Sequence, residues 1–447
     1  MNQDTIAAVA TAPGEGAIAV IRLSGCDAIS IAEKVFSRVV RSFKSHMAYY
    51  GNILKEDGSP LDSVLLMVMR GPRSYTGEDC VEISCHGGQL ITRRVLERLF
   101  MVGARAARPG EFSLRAYLNG KLDLAQAEAV QELIAAKSEL ALENAERQLE
   151  GALSEKVRSF QRDLTDIAAI LEAWVDFPEE GLEFATMEEM VGSLQEASLQ
   201  MKQLQATFHD GRALHEGLTV CLAGAPNVGK SSLMNALLKK NRAIVTEIAG
   251  TTRDVLEEDL RLGPLHFKLV DTAGIRETPE IVEQEGIRRS YKAMEEADLI
   301  LLLLDASRAL SPEDISLLNH APKEKRLLIW NKTDLMPPSA SIGGIAVSAK
   351  EHTGLDLLKA AIESFVWNKG NALSKEEVLI TKMRHYQALT NAIHYCHAVI
   401  QGLESGVSAE FVAADLRAAL YELGTIIGTN VTEDILSAIF SKFCLGK

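Results

Sequence analysis

A glycine-rich segment in the middle of the chain carries a lysine and a hydroxyl at the spacing of a phosphate-binding loop. The apolar run LTVCLAG precedes it at residues 218–224, and the amphipathic run SLMNALLKK follows it at residues 232–240. A strand, a glycine loop and a helix in this order form a P-loop, whose backbone N–H groups surround a polyphosphate. We predict that Lys230 reaches the β- and γ-phosphates of a nucleotide and that Ser231 is a ligand of Mg²⁺. The predicted contacts of this segment are Gly224, Asn227, Val228, Gly229, Lys230, Ser231 and Ser232.

The P-loop is followed in order by AGTTRD, DTAG, NKTD and SAK, which indicate that the nucleotide is GTP and together resemble the TRAFAC class of P-loop GTPases. Asp271 ends the apolar run LHFKLV, where the acid of a Walker-B strand belongs, and a preceding pair of threonines can offer a hydroxyl to Mg²⁺. The carboxylate of Asp334 can accept both N–H donors on the edge of guanine, which adenine cannot supply. The run GIAVSAK is expected to wrap the base. The further predicted contacts are Thr251, Thr252, Asp271, Thr272, Ala273, Gly274, Asn331, Lys332, Asp334, Ser348, Ala349 and Lys350.

The residue that should orient the attacking water differs from the Ras pattern. Ras-like enzymes place a glutamine directly after the DxxG motif, whereas this chain has Ile275. Because isoleucine cannot orient water, we expect one of the carboxylates in residues 276–283 to do so. No arginine finger can be identified, so a potassium ion held by the amide oxygen of Asn227 could supply the missing positive charge. Asn227 could equally stabilise the loop and bind no ion.

The composition limits the classes of function. The 447-residue chain has a formal net charge of −14, which argues against a protein that simply coats nucleic acid. Residues 1–120 nevertheless carry 14 Lys and Arg against 12 Asp and Glu, or +2. No apolar run reaches membrane-spanning length and the six cysteines form no CxxC pair, so we expect a cytoplasmic protein with reduced thiols. From the residues alone, Cys444 is either a nucleophile tuned by nearby Lys447 or an idle cysteine at a frayed terminus.

Hydrophobic periodicity predicts a multidomain chain. Strands TIAAVAT, AIAVIRL, SVLLMVM and CVEISC alternate with helices AISIAEKVF and GQLITRRVLERLF, which indicates an α+β N-terminal domain. Helical patterns flank the nucleotide-binding segment on both sides, the second beginning at EEVLITK. They predict a discontinuous all-α domain into which an α/β Ras-like domain is inserted. The expected boundaries are 1–118 for the N-terminal domain, 119–212 and 373–447 for the helical domain, and 215–370 for the GTPase domain.

Seven segments spread along the chain resemble, in the same order, the sequences of one protein family. The segments DTIAAVATAPGEGAIAVIRLSG, SYTGEDCVEISCHGG, RPGEFSLRAYLNGKLDLAQAEAV, DFPEE, GAPNVGKSS, AGTTRD and the C-x-G-K ending closely resemble the MnmE (TrmE) family of tRNA modification GTPases. The resemblance covers the whole chain and departs only slightly, with Leu445 where isoleucine is commoner.

The resemblance implies particular ligands. The N-terminal domain would dimerise and bind 5-formyltetrahydrofolate or a related tetrahydrofolate. The GTPase domain would bind K⁺ and Mg²⁺, Glu283 would position the hydrolytic water, and Cys444 matches the terminal cysteine of the family. The residues carried over are Arg22, Glu82, Lys121 and Lys447 for the folate, Asn227, Thr246, Ile248 and Thr251 for K⁺, and Ser231 and Thr252 for Mg²⁺.

The function implied by the resemblance is a homodimeric, potassium-stimulated GTPase that works with the flavoprotein MnmG in a heterotetramer. Together they would add an aminomethyl or carboxymethylaminomethyl group to C5 of the wobble uridine of certain tRNAs. Two other classes remain open, namely a GTPase that assembles ribosomes or RNA and a folate-dependent aminomethyltransferase with a regulatory domain. Absence of tetrahydrofolate binding to residues 1–120 would favour the first, and activity that survives Asp271→Asn would favour the second. Asp334 disfavours ATP as the substrate.

Overall fold

Segments that are distant in sequence pack together in the protein, which is described here by a computed structural model. The structure describes residues 4–176, 186–239, 257–262, 265–271, 291–338, 342–369, 378–444 and 446. The chain divides into unit 1, residues 1–131, 147–202 and 387–447, and unit 2, residues 132–146 and 203–386. The domain boundaries expected from the sequence stay predictions.

The N-terminal part of unit 1 is a six-stranded sheet covered by helices. The strand order is β3-β4-β5-β2-β1-β6, and only the pair β1–β6 is parallel. Apolar residues alternate along the strands, and those facing helices α1 and α2 form the core. The elements are β1 (Ile6–Val9), β2 (Ile18–Ser24), α1 (Ala28–Val35), β3 (Ala48–Leu54), β4 (Pro60–Met69), β5 (Cys80–His86), α2 (Gln89–Met101), β6 (Arg105–Ala106) and α3 (Glu111–Leu118).

The α+β class of this part is confirmed, with three elements that the periodicity did not predict. The edge strand β3 carries Gly51 at its centre, which lowers its strand signal. A Cβ at that position would collide with the ring of Phe36, so the packing requires glycine. Strand β6 has two residues, and α3 begins directly after the left-handed Gly110 at φ 68°. These signals are too short for a periodicity argument.

Helices on both sides of the GTPase segment pack together in unit 1, which confirms the discontinuous helical domain. Helix α6 buries apolar residues at steps of three and four, such as Leu153, Val157 and Phe160, and packs against α13, which buries Leu416 and Leu423. None of the helices in the described residues combines the length and apolar content that a membrane crossing requires. The described helices that follow α3, in both units, are α4 (Leu124–Ala135), α5 (Glu139–Glu150), α6 (Ala152–Asp176), α7 (Met187–Ala206), α8 (Phe208–Glu216), α9 (Lys230–Lys239), α10 (Pro312–His320), α11 (Leu355–Lys369), α12 (Met383–Glu404), α13 (Ala409–Ile427) and α14 (Glu433–Phe440).

Unit 2 contains a second six-stranded sheet, with the order β12-β11-β10-β7-β9-β8. All neighbouring strands are parallel except β8 and β9, which confirms the α/β class of the inserted domain. Because parallel strands end at the same edge, Gly224, Asp271, Asp305 and Asn331 meet at one edge of the sheet. The strands are β7 (Leu218–Gly224), β8 (Glu257–Leu262), β9 (Leu265–Asp271), β10 (Leu299–Asp305), β11 (Arg326–Asn331) and β12 (Ile345–Ala346).

The helix expected from EEVLITK onward begins later, at Met383. The backbone N–H of Leu379 donates to the side chain of Asn144 at 3.0 Å, and that of Ile380 donates to Thr207 Oγ1 at 3.1 Å. Leu379 and Ile380 are buried. The prediction was wrong here because distant side chains satisfy the backbone groups that a helix would otherwise satisfy.

Candidate functional site

The P-loop connects β7 directly to α9 and depends on its glycines. Gly224 has φ 157°, Asn227 has φ 62° and Gly229 has φ 97°, all in the region that disfavours most side chains. A Cβ on Gly224 would lie 2.7 Å from the carbonyl oxygen of Leu303 on the neighbouring strand. Asparagine tolerates the left-handed conformation better than other non-glycine residues. The loop can therefore follow this path only with the residue types that the sequence supplies.

The lysine of the P-loop lies against the loop itself. Its Nζ donates to the carbonyl oxygens of Gly224 at 2.8 Å and Ala225 at 3.0 Å. This position holds the ammonium at the loop, where it can donate to phosphate oxygens instead. The side chains of Asn227, Ser231 and Ser232 are exposed beside it, so a ligand can reach them. Val228 is buried and contributes to the core of unit 2.

Asn331 joins the phosphate loop to the segment that is predicted to contact the base. Its Nδ2 donates to the carbonyl oxygen of Val228 at 2.8 Å, and its Oδ1 accepts from the backbone N–H of Ala349 at 3.0 Å. Only 2% of Asn331 is exposed. Both halves of the amide are thus bonded to protein groups, and Asn331 positions two parts of the site.

Asp305 is a part of this site that the sequence reasoning missed. It ends β10 directly opposite Asn331 on β11, and its Oδ2 accepts a 2.6 Å bond from Nζ of Lys332. Burial raises the pKa of Asp305, but hydrogen bonds from Lys332 and Ser307 outweigh that effect and hold the pKa below its usual value. The carboxylate therefore fixes Lys332, whose φ is 64°, beside the sheet edge. The available signal was an acid directly after the six apolar residues 299–304, as Asp271 comes directly after the strand LHFKLV.

Asp334 is oriented by a buried serine. Ser348 is fully buried, and its hydroxyl donates to Oδ1 of Asp334 at 2.7 Å while accepting from the backbone N–H of Glu351 at 3.1 Å. Asp334 itself is exposed, so its carboxylate can still accept hydrogen bonds from a ligand. The side chain of Lys350, two residues after Ser348 in the sequence, is 80% exposed. This arrangement presents a fixed, charged acceptor of the kind that guanine requires.

Several predicted residues cannot be placed. The backbone of Asp271 ends β9 opposite Leu222 on β7, at the same sheet edge as the P-loop, but its side chain lies outside the described set. The remaining predicted residues outside the described ranges are Thr246, Ile248, Thr251, Thr252, Thr272, Ala273, Gly274, Glu283 and Lys447.

A second candidate site in unit 1 contains Arg22 and Glu82. These residues are direct neighbours on β2 and β5, and two guanidinium nitrogens of Arg22 lie 2.8 and 2.9 Å from Oε1 of Glu82. Arg22 also donates to the carbonyl oxygen of Gly446 at 3.5 Å and lies 5.3 Å from the ring centroid of Tyr75. Lys121 instead donates to the carbonyl oxygen of Pro72 at 3.1 Å. The structure therefore groups Arg22, Glu82 and the C-terminal segment, and Lys121 contacts the loop that carries Tyr75.

A buried charge network that the sequence reasoning missed supports the loop carrying Tyr75. Arg115 is 6% exposed and pairs with Asp4 at 2.7 Å and Glu78 at 3.1 Å. Burial raises the pKa of Glu111, but the paired Arg105 outweighs that effect and lowers it, so the carboxylate stays charged. The only local signal was the spacing of Glu111 and Arg115 on one helix face.

His86 and Cys444 each make one polar contact in unit 1. His86 is bonded through Nδ1 to Oδ1 of Asp62 at 2.6 Å on the exposed end of β5. Cys444 is an exposed free thiol, and its carbonyl oxygen accepts from the backbone N–H of Gly110 at 3.4 Å. The hydrogen bond between Gly110 and Cys444 fixes the C-terminal segment against the start of α3.

Two family models match the chain. The model described as "GTP-binding protein TrmE N-terminus" matches residues 5–121, and the model described as "MnmE helical domain" matches residues 124–444. The second match alone covers more than half of the 447 residues.

Similar structures and similar sequences differ in coverage. A variant of Era from Aquifex aeolicus bound to GDP and AlF4⁻ is 24% identical, with 40% of this chain and 66% of that chain covered at a TM-score of 0.27. The G domain of the T. maritima FeoB iron transporter is 26% identical, with 33% and 98% covered at a TM-score of 0.26. The tRNA modification GTPase MnmE of Protochlamydia amoebophila is 59% identical over 99% of this chain and 98% of its own. The proteins of that name from Syntrophotalea carbinolica and Chlamydia abortus are 46% and 45% identical over 100% of both chains.

Proposed function

Because the chain belongs to the MnmE family of tRNA modification GTPases, we propose that its hydrolysis of GTP is stimulated by potassium and serves wobble-uridine modification. The reaction adds an aminomethyl or carboxymethylaminomethyl group to C5 of that uridine in certain tRNAs. A tetrahydrofolate supplies the one-carbon unit. The protein acts as a homodimer in the cytoplasm, with the flavoprotein MnmG as its partner in a heterotetramer.

The observation that carries the GTPase part is the connection between Asn331, the P-loop and the base segment. Asn331 holds Val228 on one side and Ala349 on the other, and Ser348 orients Asp334. Asp334 accepts from the guanine edge, while Lys230 donates to the phosphates and stabilises the charge that develops on them. Ser231, with Thr252 and Asp271, would hold Mg²⁺, which neutralises phosphate charge when it is bound.

Potassium is the proposed source of the positive charge that an arginine finger supplies elsewhere. The exposed amide of Asn227 projects from a left-handed position in the P-loop, which asparagine tolerates. Its oxygen would be one ligand, and Thr246, Ile248 and Thr251 would supply the others. A cation there stabilises charge on the transferred phosphoryl group.

We expect Asn227→Ala to abolish the difference in GTP turnover between KCl and NaCl, because the variant lacks the amide oxygen of the cation site. The measurement is the steady-state GTPase rate in each salt at equal ionic strength. Asn235→Ala, which removes an exposed amide from α9, is the matched control and should keep the wild-type difference. If Asn227→Ala responds to KCl as the wild type does, the cation binds elsewhere.

Tetrahydrofolate binding is proposed at Arg22 and Glu82. Both bonds from Arg22 go to Oε1 of Glu82, which leaves Oε2 available to a ligand. The pterin ring presents an amide N–H and an amino group on one edge, and a carboxylate can accept from both. Gly446 brings the C-terminal segment to the same place, so Lys447 would complete the site.

A complete reconstitution tests the proposed function. Purified protein, MnmG, GTP, a tetrahydrofolate, unmodified tRNA and an amine, ammonium for the aminomethyl product or glycine for the carboxymethylaminomethyl product, should yield the modified wobble nucleoside, detected by mass spectrometry of the digested tRNA. Omission of any one component should abolish the product. Arg22→Ala should lose product while its GTP turnover stays near the wild-type value, because the substitution lies in unit 1 and the nucleotide site in unit 2.

Arg93→Ala, an exposed arginine of α2, is the control for this variant and should retain product formation. A full reaction that yields no modified nucleoside would contradict the proposal. In that case the alternative of an RNA-assembling GTPase would gain support. Product formed without any tetrahydrofolate would contradict the folate part alone.

A further inference from the structure

One stretch of the N-terminal domain is strongly basic in an acidic protein. Residues 34–54 contain four Lys or Arg and no Asp or Glu, and residues 63–77 contain two Arg and no acid. The whole chain has a net charge of −14. A polyanion that approaches this protein therefore needs a local positive surface, and these two stretches supply the charge for one.

Backbone and side-chain contacts bring the two stretches together. The guanidinium of Arg70 donates to the carbonyl oxygen of Arg41 at 2.9 Å, and its backbone N–H donates to Ser45 Oγ at 3.0 Å. The N–H of His46 donates to the carbonyl oxygen of Val68 at 2.8 Å. Arg73 follows in a turn that is closed by a hydrogen bond from its backbone N–H to the carbonyl oxygen of Arg70. We call the surface formed by Arg38, Arg41, Lys44, Arg70 and Arg73 the basic face.

Aromatic rings order part of the basic face. Phe43 and Tyr49 stack with their centroids 3.8 Å apart and their planes at 10°. The guanidinium of Arg38 lies 5.2 and 5.5 Å from the two centroids and donates to the carbonyl oxygen of Tyr50 at 3.1 Å. The hydrogen bond to Tyr50 and the packing beside the edges of the two rings hold the guanidinium in place and leave its other N–H groups for a phosphate.

Carboxylates offset little of this charge. Glu33 pairs with Arg41 at 2.7 Å, and Asp79 accepts from the backbone N–H of Gly71. Within the described part of the chain, no carboxylate forms an ion pair with Arg38, Lys44 or Arg73, all of which are exposed. A solvated surface that serves only solubility would mix both signs. We propose that the basic face binds the sugar–phosphate backbone of the tRNA substrate, an inference that rests on the proposed function.

The test is a triple variant, Arg38→Gln, Lys44→Gln and Arg73→Gln, in the full chain. Binding of unmodified tRNA is measured by fluorescence anisotropy between about 50 and 200 mM KCl. We expect the Kd to rise about tenfold or more at about 100 mM salt, and the slope of log Kd against log salt to fall by about 2 to 3. Basal GTP turnover, measured on the same samples, should not change, and an unchanged thermal unfolding transition reports that the N-terminal part of unit 1 is folded.

A second triple variant of equal charge change is the control. Lys55→Gln, Arg93→Gln and Arg94→Gln remove three exposed cations from another part of the same domain. We expect the Kd and the salt slope of this control to stay near the wild-type values. An equal loss in both triple variants would show that only the overall field of the domain matters, and would overturn the basic face as a specific site.

Three further outcomes distinguish failure of this inference from failure of the proposed function. If the wild type binds tRNA and the first triple variant binds it with the same Kd and slope, the basic face is not the RNA surface, while the proposed function stands. If that variant instead loses its association with MnmG, the face contacts a protein and the inference is overturned. If the wild type does not bind tRNA at all, the proposed function fails together with the inference.

Discussion

Glu283→Ala is expected to lower GTP turnover by about two orders of magnitude or more while leaving GTP affinity nearly unchanged. The chain has Ile275 where Ras-like enzymes have the glutamine that orients water, so another polar group must perform that step. The family resemblance assigns the step to Glu283. Because a water-positioning group acts on the transition state, its removal should lower kcat and leave ground-state binding intact.

The measurement combines single-turnover hydrolysis with GTP affinity determined by calorimetry. Glu280→Ala is the matched control, since it removes a carboxylate from the same segment, and it should keep turnover near the wild-type value. Turnover that is unchanged in Glu283→Ala would remove Glu283 from the role. A parallel loss of GTP affinity would assign Glu283 to binding.

Asp334→Asn is expected to weaken GTP binding by about two orders of magnitude or more and to improve the binding of xanthosine triphosphate. The carboxylate of Asp334 is an acceptor held by Ser348, and guanine offers it two N–H donors. Asparagine retains one acceptor and introduces an amide donor that opposes the amino group of guanine. Xanthine carries a carbonyl oxygen in place of that amino group, so the amide donor finds a partner.

Competition between the two triphosphates, followed as the Kd of each, measures this change. Glu351→Gln removes a nearby exposed charge, and as a control it should alter neither Kd by more than about twofold. An Asp334→Asn protein that still prefers GTP as strongly as the wild type would place base recognition on other residues.

The sequence predicts the elements of the nucleotide site better than the contacts between them. The run LTVCLAG at residues 218–224 coincides with β7, because a strand followed by a glycine loop and a helix is specified locally. The bond from Lys332 to Asp305 depends on β10 and β11 lying parallel in one register, which brings residues 27 positions apart together. No local pattern contains that register.

The late start of α12 follows from the same difference between local and distant signals. Residues 378–382 directly precede a segment with helical apolar spacing, yet Asn144 lies 235 positions away from Leu379 and bonds both of its backbone groups. The network around Arg115 is similar, since Glu78 and Asp4 reach it from other elements. Sequence periodicity identifies which residues are apolar, and long-range polar contacts then decide where an element begins.

The bonds of Asn331 have a mechanical consequence for the nucleotide cycle. The side chain of Asn331 is hydrogen-bonded to both Val228 and Ala349, so it links the P-loop rigidly to the segment that is predicted to contact the base. A displacement of either segment alone would have to break a buried hydrogen bond of the Asn331 side chain. If the predicted nucleotide contacts hold, we expect the phosphate and guanine contacts to form and to be lost together, because Asn331 links the two segments that make them.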